Sequence, residues 1–148
     1  MRTESDFNQA FVVQVKLPVQ WGDMDAFGHV NNTLYFRYFE TARLAYMAEM
    51  NLLETMQKEQ IGPILAETAC RFKSPLTYPD TIRVGASVSE QHEYGFAMHY
   101  AIYSETQKRV VCEGSGRIVL LDYRSGDKVK PDATMLKAIT ALESAKPK

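Results

Sequence analysis

Apolar residues take every second position through Phe11, Val13, Val15, Leu17, Val19 and Trp21, with Gln14, Lys16 and Gln20 between them. That is the period of a strand with one buried face. Pro18 lacks the N–H that a ladder needs, so this strand belongs at a sheet edge or is bulged near its end. From Thr33 to about Leu53 the period changes. Tyr35, Phe39, Ala42 and Tyr46 recur at helical spacing, and Leu34, Phe36, Tyr38, Ala45 and Met47 cover most of the remaining surface. A helix apolar nearly all round is expected to be buried. Its charged stripe is Arg37, Glu40 and Arg43, where Glu40 can pair with either arginine. Asn31 or Asn32 suits its N-cap, and Gly62-Pro63 closes the connection that follows.

The rest of the chain alternates in strand fashion. Ile64, Ala66, Thr68, Cys70 and Phe72 are expected on one face of a strand over Ile64–Lys73, with Glu67, Arg71 and Lys73 on the other. Ser74-Pro75 and Tyr78-Pro79-Asp80 interrupt it. Ile82, Val84, Ala86 and Val88 predict a third strand, and Phe96, Met98, Tyr100 and Ile102 a fourth, entered through Glu93-Tyr94-Gly95. A fifth runs from Val110 to Tyr123, where Gly114 and Gly116 mark a bulge or a close approach to the helix. Asp132 can cap a final amphipathic helix that uses Met135, Leu136, Ile139 and Leu142. This order predicts an α+β domain over residues 1–148, an antiparallel sheet packed on one helix.

Composition narrows the chemistry. Hydrophobic residues make up 45% and charged residues 24%, as in a globular protein, and the net charge is −1. That balance offers no basic excess for nucleic acid and no polybasic run for an anionic membrane. The first six residues lack the apolar core of a signal peptide and no stretch approaches a membrane span, so a cytoplasmic protein is expected. Cys70 and Cys112 are then expected as free, buried thiols. His29, His92 and His99 show no metal-ligand spacing with them, so no metal is expected.

One stretch reads as a site. Trp21-Gly22-Asp23-Met24-Asp25-Ala26-Phe27-Gly28-His29-Val30-Asn31-Asn32 links the first strand to the helix. A helix N-terminus offers free backbone N–H groups and partial positive charge, which suit a developing oxyanion. A carboxylate just upstream can serve as base or nucleophile. Asp25 also fits a turn-forming role in a polar loop, and His29 fits either local packing or contact with a reacting group.

Asp25, Gly28-His29-Val30-Asn31-Asn32, Tyr35, Phe39-Glu40 and Ala42-Arg43 together resemble the signature of the 4-hydroxybenzoyl-CoA thioesterase family of hotdog-fold acyl-CoA thioesterases. The match is specific from Val19 to about Tyr46. The resemblance implies that a five-stranded antiparallel sheet wraps the long helix, and that Asp25 is the catalytic carboxylate while Asp23 is structural. It implies that the Asn32 N–H is the oxyanion donor, with Gly28, His29 and Asn31 as substrate-binding neighbours. No metal or organic cofactor is needed, and because a thiolate is a good leaving group a lone carboxylate serves without a full triad. It further implies a homodimer or homotetramer whose sites form where two subunits meet, the strand near Ile64–Lys73 pairing with its mate. Glu40 as acid or base is the alternative within the fold. CoA phosphates are expected on basic residues near the entry to the fourth strand, but Gln91-His92-Glu93-Tyr94-Gly95 is nearly neutral. Arg71, Lys73 and Arg83 are then the candidates, and an acyl-carrier protein is the other source of substrate. A non-catalytic acyl-thioester binding protein would use the same fold.

Overall fold

The computed structural model describes residues 1–147. The elements run α1 (Glu4–Ala10), β1 (Val13–Val19), a short 3₁₀ turn (Trp21–Asp23), α2 (Asn32–Glu49), α3 (Leu52–Glu59), β2 (Ile61–Phe72), β3 (Asp80–His92), β4 (Gly95–Ser104), β5 (Arg109–Asp122) and α4 (Ala133–Ser144). The five strands make one antiparallel sheet in the order β1-β3-β4-β5-β2, curled around α2 as a hotdog fold. Pro18 lies opposite Thr81 in β1, at the edge where a missing N–H is tolerated. β2 forms the other edge.

Register decides which residues meet the helix. Ile82, Val84, Ala86 and Val88 alternate into the core from β3, and Phe96, Met98, Tyr100 and Ile102 from β4. Against them α2 packs Tyr35, Tyr38, Phe39, Ala42, Tyr46 and Met47. The two glycines of β5 allow the close approach. A methyl on Gly114 would overlap the Phe39 ring and come within 2.8 Å of the Ala69 carbonyl oxygen, and one on Gly116 would sit 2.9 Å from the Tyr100 hydroxyl. Phe39 and Tyr100 stack with centroids 5.0 Å apart in the space so made. Asp132 caps α4 through the Met135 N–H, 2.8 Å away. Glu143 on α4 then accepts from the Tyr46 hydroxyl at 2.7 Å and from the Val88 N–H at 3.2 Å, beside the β3 bulge.

Four expectations need correction. The helix expected through Leu53 ends at Glu49, because Asn51 turns the chain left-handed at φ 59° before α3 begins. Gly62-Pro63 lies inside β2 and does not close a loop. The register of β2 slips between Leu65 and Glu67, so that Leu65 faces Ile118 and Ile64 faces Val119. Thr68, Cys70 and Phe72 keep their shared face, but the bulge moves Ile64 off it. Nor is α2 buried all round: Leu44 is 45% and Glu40 61% exposed, and across from this flank Phe72 on β2 is 48% exposed.

α1 was not expected. Thr3 and Asp6 form a capping box around its first turn, and Phe7 and Phe11 cover the outer face of the sheet over Ala101, Tyr103 and Val110. Gly85 leaves room for the Phe11 ring. The Arg83 guanidinium lies over the rings of both Phe7 and Tyr103, 5.5 and 4.8 Å from their centroids, and pairs with Glu4 and Glu105.

Overpacking at the helix–sheet contact is therefore expected to be costly. Gly114→Ala should lower unfolding stability by about 1–3 kcal/mol in denaturant melts. Gly22→Ala, with nothing within 4 Å of the added methyl, should stay within about 0.5 kcal/mol of the parent.

Candidate active site

The loop between β1 and α2 is built by its own polar groups. The Asp23 carboxylate accepts from the Gln20 N–H at 2.8 Å and from the Tyr38 hydroxyl at 3.1 Å, while the Asp23 carbonyl accepts from the Asn31 N–H at 2.9 Å. Asp23 is thus a structural anchor, and burial together with its charge pushes the Tyr38 phenol up. Beyond it, the Asp25 N–H donates to the His29 carbonyl at 2.8 Å and the Gly28 N–H to the Asp25 carbonyl at 3.0 Å. Gly28 closes this turn at φ 77°, which glycine adopts without a Cβ penalty. One Asp25 oxygen, Oδ1, accepts from the Phe27 N–H at 2.8 Å. The turn-forming reading of Asp25 is therefore present, and its second oxygen accepts no hydrogen bond among the described residues.

The helix start completes the loop. Asn31 Oδ1 accepts from the Thr33 N–H and from the Thr33 hydroxyl, each at 2.9 Å, and the Leu34 N–H reaches the Asn31 carbonyl at 3.0 Å. Asn31 is the N-cap. The N–H of Asn32, the first residue of α2, has no acceptor among the described residues. It is one of the orphan donors that every helix leaves at its start, here with 18 residues of aligned dipole behind it.

Asn32 lines a cleft of about 270 Å³ together with Val30, Tyr35, Phe72, Lys73, Ser74 and Pro75. The Tyr35 hydroxyl accepts from the Leu76 N–H at 3.2 Å, and its ring meets Phe72 edge-on at 4.8 Å. Burial pushes the Tyr35 phenol up. The Val30 N–H donates to the Leu76 carbonyl at 2.9 Å, so the loop and the segment that follows β2 are fastened to each other. Of the five residues singled out from the sequence, Asn32 borders this cleft; Asp25, Gly28, His29 and Asn31 do not. Asp25 is half-buried and Gly28 and His29 are exposed on the loop, whose Phe27 is 86% exposed. Phe72 went unrecognised, and Lys73 was expected only as one of three candidates for the CoA phosphates. The signal for Phe72 was an aromatic just before the Ser74-Pro75 break, which says nothing about the helix it meets.

The basic candidates differ from one another. Arg83 is committed to α1. Lys73 pairs with Glu113 and donates to the Met1 carbonyl at 3.0 Å, while His99 Nε2 lies 3.2 Å from the other Glu113 oxygen. Burial alone would raise the Glu113 carboxyl, but the Lys73 hydrogen bond and charge, with the N-terminal ammonium and His99, hold it below the ordinary value. Arg71 is exposed and forms no ion pair among the described residues. Arg43 is largely buried, donates to the Tyr100 hydroxyl at 3.3 Å, and stands 4.0 Å from an exposed Glu40. Glu40 does not border the cleft. Among the described residues no group of three His, Cys, Asp or Glu could hold a metal, and no helix is long and apolar enough to cross a membrane.

A family model described as the thioesterase-like superfamily matches residues 19–139. A curated protein of Aquifex aeolicus (strain VF5), named "Putative esterase", is 30% identical over 88 residues, covering 59% of this chain and 69% of that protein. The PA5185 protein of Pseudomonas aeruginosa strain PAO1 superposes with a TM-score of 0.82 at 24% identity, over 95% of this chain and 97% of that one. A thioesterase of Thermus thermophilus, solved in complex with coenzyme A and Zn, superposes at 0.80 and 23% identity, over 91% and 96%. At these identities the two structures show a shared fold.

Glu113 makes stability pH-dependent. Its carboxyl lies below 4.5 in the folded chain, so its contribution is fully present above that value and is lost as pH falls through the folded one. Glu113→Gln should lower Tm at neutral pH, and the gap from the parent should close in melts taken progressively below about pH 4.

Proposed function

The chain belongs to the thioesterase-like superfamily, and we propose that it hydrolyses acyl-CoA thioesters to the free acid and CoA. The observation that carries this reading is the unaccepted Asn32 N–H at the start of α2, on a residue that borders an aromatic-walled cleft. The acyl group lies against Tyr35 and Phe72, with its carbonyl oxygen at that N–H. Negative charge develops on this oxygen as the thioester carbon becomes tetrahedral, and the donor and helix dipole stabilise it. Asp25 activates the attacking water as base, or attacks directly to give a mixed anhydride that water then opens. The free oxygen of Asp25 is available for either step, since its other oxygen holds the turn. The thiolate departs without a proton, so a lone carboxylate suffices. A complex with coenzyme A in the Thermus thermophilus thioesterase of the same fold supports CoA as the carrier.

Asp25 does not border the cleft of its own chain, so the complete site forms between two copies, one supplying Asp25 and the other the cleft. β2 supports this arrangement. It is an edge strand with unpaired backbone groups, and its inward-facing Phe72 and Leu65 are 48% and 41% exposed. A second copy paired along β2 would cover them, in an isologous dimer.

Asn32→Pro tests the donor without breaking the helix. Proline is favoured at the first helical position, and Asn31 already has the extended geometry (φ −59°, ψ 138°) that a following proline requires. Thiol release from a panel of short, long and aromatic acyl-CoAs should fall about 10²–10³-fold in kcat with Tm little changed. Asp25→Asn should cost about 10²–10⁴-fold while keeping the turn. Parent-like turnover in either variant would remove that residue from the mechanism, and binding without thiol release across the panel would make the protein a non-catalytic binder.

Assembly and activity should fail together. Ala69→Asp places a charge on the exposed edge strand, and light scattering should show a monomer that has lost most of its turnover. An active monomer at assay concentration would refute the shared site and leave the hydrolase reading intact.

A further inference from the structure

A second cleft, of about 510 Å³, opens beside the tip of the β4–β5 hairpin, lined by Arg2, Thr3, Glu4, Tyr103, Lys108 and Arg109. Three of these residues are cations and one is a carboxylate. Glu4 is already taken, since its Oε1 lies 2.8 Å from the Arg83 guanidinium. Lys108 stands 3.8 Å from Glu105, which Arg83 also holds. Arg109 Nε donates to the Val110 carbonyl at 3.4 Å, and among the described residues neither Arg109 nor Arg2 forms an ion pair. In a chain whose net charge is −1, this is positive charge gathered in one concavity without matching carboxylates. Such a cleft focuses its field on an anion, and one with several negative groups gains most.

Two sets of bonds tie this cleft to the one at Asn32. The Val110 N–H donates to the Arg2 carbonyl at 2.8 Å, which fixes Arg2 beside the start of β5. Lys73, on the wall of the Asn32 cleft, donates to the carbonyl of the neighbouring Met1 at 3.0 Å. On the other side Gln107 accepts from the Ser74 hydroxyl at 2.6 Å and donates to the Pro75 carbonyl at 2.8 Å. Ser74 and Pro75 wall the Asn32 cleft, and Lys108 and Arg109, next after Gln107, wall the basic one. The two clefts thus share a rim. The β2 ladder ends at Phe72 opposite Cys112, short of Arg109, so a second copy paired along β2 leaves the basic cleft open. The nearly neutral Gln91–Gly95 stretch lies at the opposite end of β4.

We propose that the basic cleft is the subsite for the nucleotide end of CoA, a 3′-phosphorylated ADP. Arg2 and Arg109 each present a planar fork that matches a phosphate through two hydrogen bonds, and Lys108 adds a third cation as a point charge. A concavity of this volume suits a small-molecule group, whereas the acidic surface of a carrier protein needs an open strip. The pantetheine arm crosses the rim at Ser74 and Pro75 and brings the thioester to the Asn32 N–H. That route rests on the thioesterase reading; the anion subsite does not. Its consequence is a choice of carrier, because a thioester that lacks the nucleotide forgoes all three cations.

The full chain is titrated calorimetrically with free CoA, 3′-dephospho-CoA and pantetheine, none of which carries an acyl group to hydrolyse. The parent should bind CoA about tenfold or more tighter than dephospho-CoA, with an affinity that falls as salt is raised. Arg2→Gln and Arg109→Gln should each weaken CoA binding about tenfold, and together bring CoA close to pantetheine. Lys108→Gln, on a side chain 73% exposed, probes the same subsite where little packing can be lost, and should flatten the salt dependence. In thiol release the parent should prefer an acyl-CoA to the matching acyl-pantetheine thioester, and the double variant should lose that preference. Equal binding of CoA and dephospho-CoA by the parent, or parent-like CoA binding by the variants, would overturn the subsite. So would variants that keep their CoA affinity but lose turnover on an acyl-carrier protein. CoA binding in the expected order with no thiol release from any thioester would uphold the subsite and remove the hydrolase reading.

Discussion

The fold turns on how closely α2 can approach the sheet. Its first long aromatic contact, Phe39 against Tyr100, needs the space that Gly114 and Gly116 leave on β5. Given that contact, the 18-residue helix has one place to lie, and its N-terminus is delivered to the end of the sheet where β2 runs into Lys73 and Ser74. The cleft is a consequence. Tyr35 is one turn upstream of Phe39 on the same face, so whatever seats Phe39 also seats Tyr35 against Phe72. A protein interior transmits such constraints because it is packed too tightly to absorb them.

The loop before α2 leaves the first N–H of the helix unused. Among the described residues, the N–H groups of Val30, Asn31, Thr33 and Leu34 each have an acceptor and that of Asn32 has none. Asn31 takes its neighbour Thr33, Asp23 takes Asn31, and Leu76 takes Val30. These bonds hold the open donor still. A preorganised donor needs no rearrangement when charge develops, whereas a mobile one would lose part of its advantage in being ordered. Asp25 is held in the same way by the turn that its own Oδ1 closes. In the proposed mechanism its structural and chemical roles reinforce each other, since the bond that makes it a turn residue fixes the direction of the oxygen left over.

Much of this was legible in the chain. Strand alternation placed the inward residues of β3 and β4, Pro18 marked an edge, and Gly114 and Gly116 signalled the close helix. The strand–loop–helix signature located Asp23, Asp25, Asn31 and Asn32 before any geometry. Three features stayed hidden for physical reasons. The β2 bulge falls in Ile64-Leu65-Ala66, where three apolar residues in a row fit either register. α1 carries Thr3 and Asp6 as a capping box with Phe7 and Phe11 four apart, yet whether that face has a partner depends on Gly85 and Tyr103 sharing the outer side of a sheet. The cleft walls come from the end of β2, forty residues beyond the loop in sequence. Local pattern cannot supply a contact that only the register of distant strands creates.

The open surfaces follow from the strand order. α2 lies over β1, β3 and β4, and β2, at the far edge, receives little of it, so Leu65 and Phe72 are left uncovered on one side and Leu44 on the other. Such apolar exposure along an unpaired edge is unstable as a final state, because it offers both backbone groups and hydrophobic area to another strand. The edge is blunted at one end by Pro63 and by the bulge, but from Glu67 to Phe72 the ladder is regular. That leaves a single stretch suited to pairing, and it is the stretch that ends at the cleft. In the proposed dimer, the contact that covers this apolar face is also the one that brings a carboxylate to the Asn32 N–H. Assembly and catalysis would then draw on the same buried area, and neither would need a surface of its own.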